Sequence, residues 1–361
     1  MEYKIATDSD KSKFNNFIAD FEWGDLLQSW EWGDLKAKSG WKPIRVYAEE
    51  NGKIIACASL LKRNLPKMNK CIIYAPRGPV FDTTNKELSN FFFDNLRQTA
   101  KANNAILLKI DPPVEISDTI SEKNISDYGF KALSSDGFGG TQPKCVMQLD
   151  LDKSIDDIFA SFKEKWRYNI RLATKKGVTV KMDCTKDDLD IFYTLLEETC
   201  KRDGFLVRGK KYFEDMWDIL VPEGYMKLVL TYYDDKPIAG AIAHTIGNKA
   251  WYTYGASSNT HRNVMPNHLM QWNLIKWAHE KGCKWYDFRG VSPKNTNNEE
   301  DDRLKGLNRF KEGFSPRFVE YIGEYDLVLS PSFYWLWNVA KPKVMKLIKA
   351  KRMSESKAQD I

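Results

Sequence analysis

Apolar and polar positions alternate over residues 44–49 and 54–62, on either side of Glu50-Asn51-Gly52-Lys53. Asn-Gly between two alternating runs predicts a hairpin, because both residues tolerate the positive φ of a tight turn. A helical spacing over residues 14–21 precedes the hairpin. A strand at 71–74, a helix over 86–103 and a strand at 105–110 follow it, ending at Asp111-Pro112-Pro113. The same order then returns. A helix over 186–203 leads to strands 226–233 and 238–246, joined at Asp234-Asp235-Lys236-Pro237. Next come a strand at 250–254, a helix over 267–281 and a strand at 284–288 that ends at Arg289-Gly290. Tyr74-Ala75-Pro76-Arg77-Gly78 and Tyr254-Gly255-Ala256-Ser257 occupy equivalent places near the start of each long helix.

Helix, hairpin, strand, helix, strand is the order of an N-acetyltransferase-like unit. Two copies predict an α/β protein of the α+β type, with two tandem N-acetyltransferase-like domains and mixed sheets. A chain of 361 residues is long enough for two cores. We expect residues 1–145, completed by 318–340, to form the first domain. Residues 146–317 form the second, and 341–361 a basic, partly disordered tail. Fold alone does not name a reaction.

Between the two copies, residues 159–176 read as one helix. Phe159, Phe162, Trp166, Ile170 and Ala173 give it an apolar face. Lys163, Arg167, Arg171 and Lys175 follow at i, i+4 spacing as a cationic ridge. Such a ridge is either a solvated flank or a phosphate track for RNA, where cations neutralise backbone charge without reading sequence.

The charge balance, 55 basic against 49 acidic residues, leaves a net +6, which permits an anionic partner without demanding one. The six cysteines are scattered and the four histidines lack metal-ligand spacing, so a disulfide framework and a metal centre are not expected. His244 lies in an apolar run, as a satisfied core residue would. No Walker, serine-hydrolase or metalloprotease signature is present. No apolar run is long enough to cross a bilayer, and the N-terminus lacks the apolar stretch of a signal peptide, so a cytoplasmic location is expected. After Ser330-Pro331, Tyr334, Trp335 and Trp337 suit docking onto the first domain. The lysine-rich end beyond them suits weak contact with an anionic inner membrane surface. Residues 294–303 read as a polar, acidic loop.

Six segments resemble the Fem family of non-ribosomal peptidyltransferases, which build peptidoglycan side chains and bridges. They are Gln28-Ser29-Trp30-Glu31-Trp32-Gly33, Tyr74-Ala75-Pro76-Arg77-Gly78-Pro79, Trp166-Arg167-Tyr168-Asn169-Ile170-Arg171-Leu172-Ala173, Tyr254-Gly255-Ala256-Ser257, Pro266-Asn267, and Gly306-Leu307-Asn308-Arg309-Phe310-Lys311-Glu312-Gly313-Phe314. They run in order over most of the chain. The resemblance implies an aminoacyl-tRNA donor as co-substrate with no further cofactor, and a UDP-linked or lipid-linked muropeptide acceptor. It implies that Lys36 and Arg208 grip the acceptor's diphosphate and that Tyr212 and Tyr254 contact the acceptor. Asp111 is implied as a polar contact to the acceptor or its amine, and Lys311 as the catalytic lysine. Some members carry a coiled-coil arm in the second domain. No heptad insertion is present here, so tRNA contact falls to Arg167, Arg171 and Lys175.

The implied chemistry is aminolysis of an ester by a side-chain amine. An alkylammonium has a pKa of about 10.4 and must lose a proton before attack. Asp111 or partial desolvation would help, and a fixed cation such as Lys311 would stabilise the oxyanion. Two other functions fit the fold class. One is an acyl-CoA-dependent N-acyltransferase, against which the glycine-free stretch His261-Arg262-Asn263-Val264-Met265-Pro266 argues, since proline lacks an amide donor for a pyrophosphate. The other is a non-catalytic tRNA- or membrane-binding module. Which amino acid is transferred, and the oligomeric state, are not encoded in any motif.

Overall fold

A computed structural model describes residues 1–66, 68–133, 140–293 and 299–339, without the side chains of 299–304. The tail beyond residue 339, and the membrane contact expected of it, lie outside the described residues.

Two mixed sheets form. In the first, the strands run in the order Glu2–Ile5, Lys42–Glu50, Lys53–Asn64, Cys71–Ala75, Ala105–Ile110, Tyr325–Val328 and Lys131–Ala132. In the second, the order is Arg317–Glu320, Cys145–Asp150, Trp285–Gly290, Lys249–Ser257, Lys236–Ile246, Met226–Tyr233 and Thr179–Lys181. Each central hairpin turns on two left-handed residues, Asn51-Gly52 in one copy and Asp234-Asp235 in the other. Each sheet has one parallel pair bridged by a long helix, Lys86–Ala102 or Pro266–Glu280, as parallel strands require a crossover. Among the described residues the longest helix is Lys86–Ala102, 17 residues, and no coiled-coil arm projects.

The two parallel pairs differ. Cys71–Ala75 stays paired with Ala105–Ile110 from Cys71↔Ala105 through Ala75↔Ile110. In the second sheet pairing runs only from Lys249↔Trp285 to Trp251↔Asp287, and the strands then part. The opening lies between Tyr252–Ser257 on one side and Phe288–Gly290 on the other.

A shared core joins the halves. Phe14, Ile18, Trp30 and Leu35 from the first pack with Phe192, Phe213, Met216 and Ile242 from the second. Two pairs of the quoted motifs interlock. Gln28 is wholly buried, with its Nε2 donating to Pro76 O (2.7 Å) and its Oε1 accepting from Ser59 N (2.8 Å). It occupies the space a Cβ on Gly78 would need, 2.4 Å from the Gln28 carboxamide carbon. Likewise a Cβ on Gly313 would fall 1.9 Å from the Trp166 ring, whose Nε1 donates to Phe310 O at 3.0 Å.

Three sequence expectations are corrected. Residues 159–176 are not one helix: Ile155–Ser161 and Glu164–Lys175 are separated by Phe162, in extended conformation, and Lys163, which is also outside the helical region. The break turns the Phe162 ring into the core, edge-on to Trp272 and Phe314. Residues 299–303 are helical, part of Glu299–Glu312, rather than a loop, and the rest of the expected loop, 294–298, lies outside the described residues. Finally, Arg317–Glu320 pairs with Cys145–Asp150 in the second sheet, so the return to the first sheet starts at Tyr325, not Phe318. Beyond it, residues 331–339 form a helix whose Phe333, Tyr334 and Trp337 pack on Leu65, Ile106 and Leu107.

Candidate active site

Lys36 lies in the last turn of the helix Trp30–Ala37, which Ser29 caps by accepting from Trp32 N at 3.1 Å. Buried Glu31 of the same helix is taken up by Asn15 and Lys11. The motif is therefore mostly scaffold, and it aims Lys36 across the interface. The Lys36 ammonium donates to Tyr212 Oη at 2.8 Å and lies 4.5 Å from the Trp32 ring and 5.0 Å from the Tyr212 ring. Burial lowers its pKa to about 7, and the neighbouring Arg208 adds to the effect.

Tyr212 belongs to the helix Lys210–Leu220, which the apolar pattern did not single out. Its hydroxyl is hydrogen-bonded with that of Tyr254, and burial raises the pKa of both. The exposed Arg208 guanidinium stacks 4.8 Å from the Tyr212 ring centre. The structure thus brings Lys36, Arg208, Tyr212 and Tyr254 into one cluster, beside the opening of the second sheet. His244 lies beneath it, hydrogen-bonded to Thr253 at 2.9 Å. Burial, then Arg289 and Lys36, lower its pKa to about 3, so it is neutral.

Arg289 is the residue that sequence reasoning missed. Its guanidinium lies 5.8 Å from the Trp251 ring and acts electrostatically on Tyr254 and His244. Among the described residues no carboxylate is within ion-pair distance of Lys36, Arg208 or Arg289. The signal was Arg289-Gly290 at a strand end; its direction depends on a left-handed φ of 62° that no spacing rule supplies.

Lys311 is buried, 4% exposed, and donates to the carbonyls of Gly290 (2.6 Å) and Arg289 (3.5 Å). Burial lowers its pKa to about 7, against the opposing pull of Asp287. Asp287 ends the parallel pairing with Lys249–Ser257; its Oδ1 accepts from Arg289 N (2.5 Å) and its Oδ2 from Gln148 Nε2 (3.2 Å). Asp111 is placed differently. It is 1% exposed, and its oxygens accept from Tyr74 Oη (2.7 Å) and Arg77 N (2.5 Å). Burial raises its pKa to about 7, opposed by Arg77. None of its hydrogen bonds reaches Lys36, Arg208, Tyr212 or Tyr254.

The helix Glu164–Lys175 divides its cations. Lys163 precedes it, and Arg167 folds back to donate to Ala160 O and Phe162 O, both at 2.6 Å. Arg171 and Lys175 remain exposed. With Lys276 they rim a groove of about 620 Å³ floored by Phe159, Ile170 and Trp272. Among the described residues no cluster of three or more His, Cys, Asp or Glu is placed to hold a metal ion, and no helix is long and apolar enough to cross a membrane.

Two acetyltransferase-like sheets, one opened beside a cluster of cations and tyrosines, define a tandem acetyltransferase-like fold. The chain belongs to the FemAB family, whose model matches residues 10–234 and 223–342. It is similar to the lipid II:glycine glycyltransferase of Staphylococcus epidermidis, 31% identical over 91% of this chain and 94% of that protein. The enzyme of the same name from Staphylococcus aureus (strain USA300) gives the same identity and coverage. The crystal structure of FemX superposes with a TM-score of 0.86 at 29% identity, covering 93% of this chain and 99% of FemX. A tandem GNAT protein of clavulanic acid biosynthesis shares the fold at 10% identity and a TM-score of 0.53, covering 91% and 98% of the two chains.

Proposed function

We propose that this chain transfers an aminoacyl group from aminoacyl-tRNA to the stem-peptide side-chain amine of a lipid-linked peptidoglycan precursor, with glycine as the group transferred. The names of its staphylococcal relatives support the lipid-linked acceptor and glycine. The observation that carries the reading is the cluster itself: Lys36 and Arg208, with no carboxylate within ion-pair distance among the described residues, held against Tyr212 and Tyr254 in a FemAB chain. Lys36 is mostly buried, and burying an uncompensated cation is costly unless an anion completes it. A diphosphate does so, with Lys36 as a point charge and Arg208 as a fork. In the reaction the amine nitrogen attacks the ester carbonyl and the C–N bond forms. The ester C–O bond then breaks, and the tRNA ribose oxygen leaves with a proton. Lys311 stabilises the intervening oxyanion. Asp111 acts as a positioning residue, holding the Arg77 turn from behind.

Lys36→Ala and Arg208→Ala each weaken acceptor binding by about 1.5–3 kcal/mol, as removal of a charge-assisted hydrogen bond does, and weaken a diphosphate-free analogue less. Equal effects on both acceptors in calorimetry would remove the diphosphate role. Transfer itself is tested by mass spectrometry of the product formed from a mixed charged-tRNA pool and either lipid-linked or UDP-linked muropeptide. No mass increment on either acceptor would refute the reaction.

For the donor, Arg171, Lys175 and Lys276 are the track we assign to tRNA phosphates, with Arg167 left to its capping carbonyls. Neutralising the three together raises KM for charged tRNA and flattens the slope of log KM against log salt by roughly 0.7–0.9 for each phosphate no longer neutralised. Arg167→Gln leaves that slope unchanged. An unaltered slope in the triple variant would make the ridge a solvated flank. Against coenzyme A as donor, the loop before Pro266–Glu280 spends its amides locally: Val264 N donates to His261 O and Met265 N to Arg262 O. A calorimetric titration with coenzyme A is expected to give no heat of binding.

A further inference from the structure

Arg289 has backbone and side-chain features that neither the diphosphate grip nor the oxyanion lysine uses. Its φ of 62° is a strained conformation for a side-chain-bearing residue, costing about 1–3 kcal/mol, and such strain persists only where the surroundings impose it. Here Asp287 imposes it by accepting the Arg289 N–H at 2.5 Å while Gln148 secures the other carboxylate oxygen. Gln148 is itself held by Tyr321 Oη at 2.9 Å and by Arg317 at 2.7 Å. The turn has two consequences. It presents the carbonyls of Arg289 and Gly290 to the Lys311 ammonium, and it sends the guanidinium toward Trp251, Tyr254 and His244. Arg289 therefore touches both groups, its guanidinium acting on Tyr254 of the Lys36–Arg208 cluster and its carbonyl held by Lys311, so an acceptor gripped at the first and reacting at the second would pass it. A peptide acceptor carries carboxylates along that path, and a planar guanidinium is suited to receive one in two parallel hydrogen bonds.

We infer that Arg289 is a binding residue for a carboxylate of the acceptor's stem peptide, and that Asp287 is the positioning residue that aims it. This rests on the acceptor reading above. The test compares two acceptors identical except that the stem-peptide carboxylates are free in one and carboxamides in the other. Binding is measured by calorimetry and transfer by mass spectrometry. Arg289→Gln weakens binding of the carboxylate form by about tenfold or more and leaves the carboxamide form within about twofold. Arg289→Lys, which keeps the charge and guards against a folding defect, recovers part of the loss. Asp287→Asn keeps the size of the side chain but weakens its hold on the turn. It lowers kcat and removes the preference for the carboxylate form together. Equal losses for the two acceptors in Arg289→Gln, with wild-type transfer intact, overturn the assignment of Arg289. A wild-type chain that binds both acceptors but transfers nothing overturns the transferase reading instead.

Discussion

Lys311→Ala lowers kcat by about 10²–10³ while leaving acceptor affinity nearly intact, because an oxyanion donor acts in the transition state and not in the ground state. The ammonium is buried, anchored by two carbonyls of the strand that ends at the opening, and coupled to Asp287. Only the protonated amine can stabilise an anion, and burial holds its pKa to about 7. The Lys311 contribution to kcat is thus full below that value and is lost as pH rises through it. The attacking amine has the opposite sign, since it must be deprotonated, so the wild-type profile is bell-shaped. Lys311→Arg restores part of the rate and removes the alkaline fall that Lys311 causes, because a guanidinium stays charged there. Single-turnover kinetics with charged tRNA and muropeptide across pH separates these arms. An alanine variant within a few-fold of wild type would mean that Lys311 only ties the strand end.

Phe314→Ala destabilises the fold by about 3–5 kcal/mol, the range for removing a fully buried aromatic ring. Phe314 is 0% exposed and sits in an aromatic cluster with Phe288, Phe162 and Phe310, at 5.3, 5.2 and 5.4 Å between ring centres. Its N–H donates to Lys311 O at 3.1 Å, so the same ring seats the helix end that carries Lys311. Phe310→Ala, at a half-buried position, costs less. Urea unfolding with an unchanged m value measures both, and a Phe314→Ala loss under about 1 kcal/mol would contradict this role for the cluster.

Local patterns gave the repeated order of elements because the hairpins, long helices and strands carry period-2 and period-3.6 signals of their own. Asn51-Gly52 and Asp234-Asp235 turn where their residue types predict, since two-residue loops are chosen by φ preference alone. Two of the misreadings have tertiary causes that no local pattern carries. Phe162 continues a helical pattern in sequence, yet the core takes its ring and breaks the helix. Arg317–Glu320 is too short to show alternation, and its partner Cys145–Asp150 lies more than a hundred residues away. The site divides similarly. Lys36, Arg208, Tyr212 and Tyr254 were legible only through motif resemblance, because they come from two helices, a strand and a loop that meet at the interface of the halves. Arg289 carried no motif, and its place depends on a backbone turn held by Asp287. Asp111 does lie at a strand end, but nothing local revealed that Tyr74 and Arg77 would enclose it.

The return of Tyr325–Val328 to pair with Ala105–Ile110 sets an order of events on the ribosome. The whole of residues 146–324 is made between these two strands, so the nascent first half carries an unpaired apolar edge at Ala105–Ile110 throughout synthesis of the second. Exposed edges of this kind template mispairing with other chains. The second half, whose strands all lie within residues 145–320, can close its own sheet first. Truncation ahead of Tyr325, in a translation stopped at that point, therefore leaves the second half protease-resistant and the first half as the segment that chaperones capture.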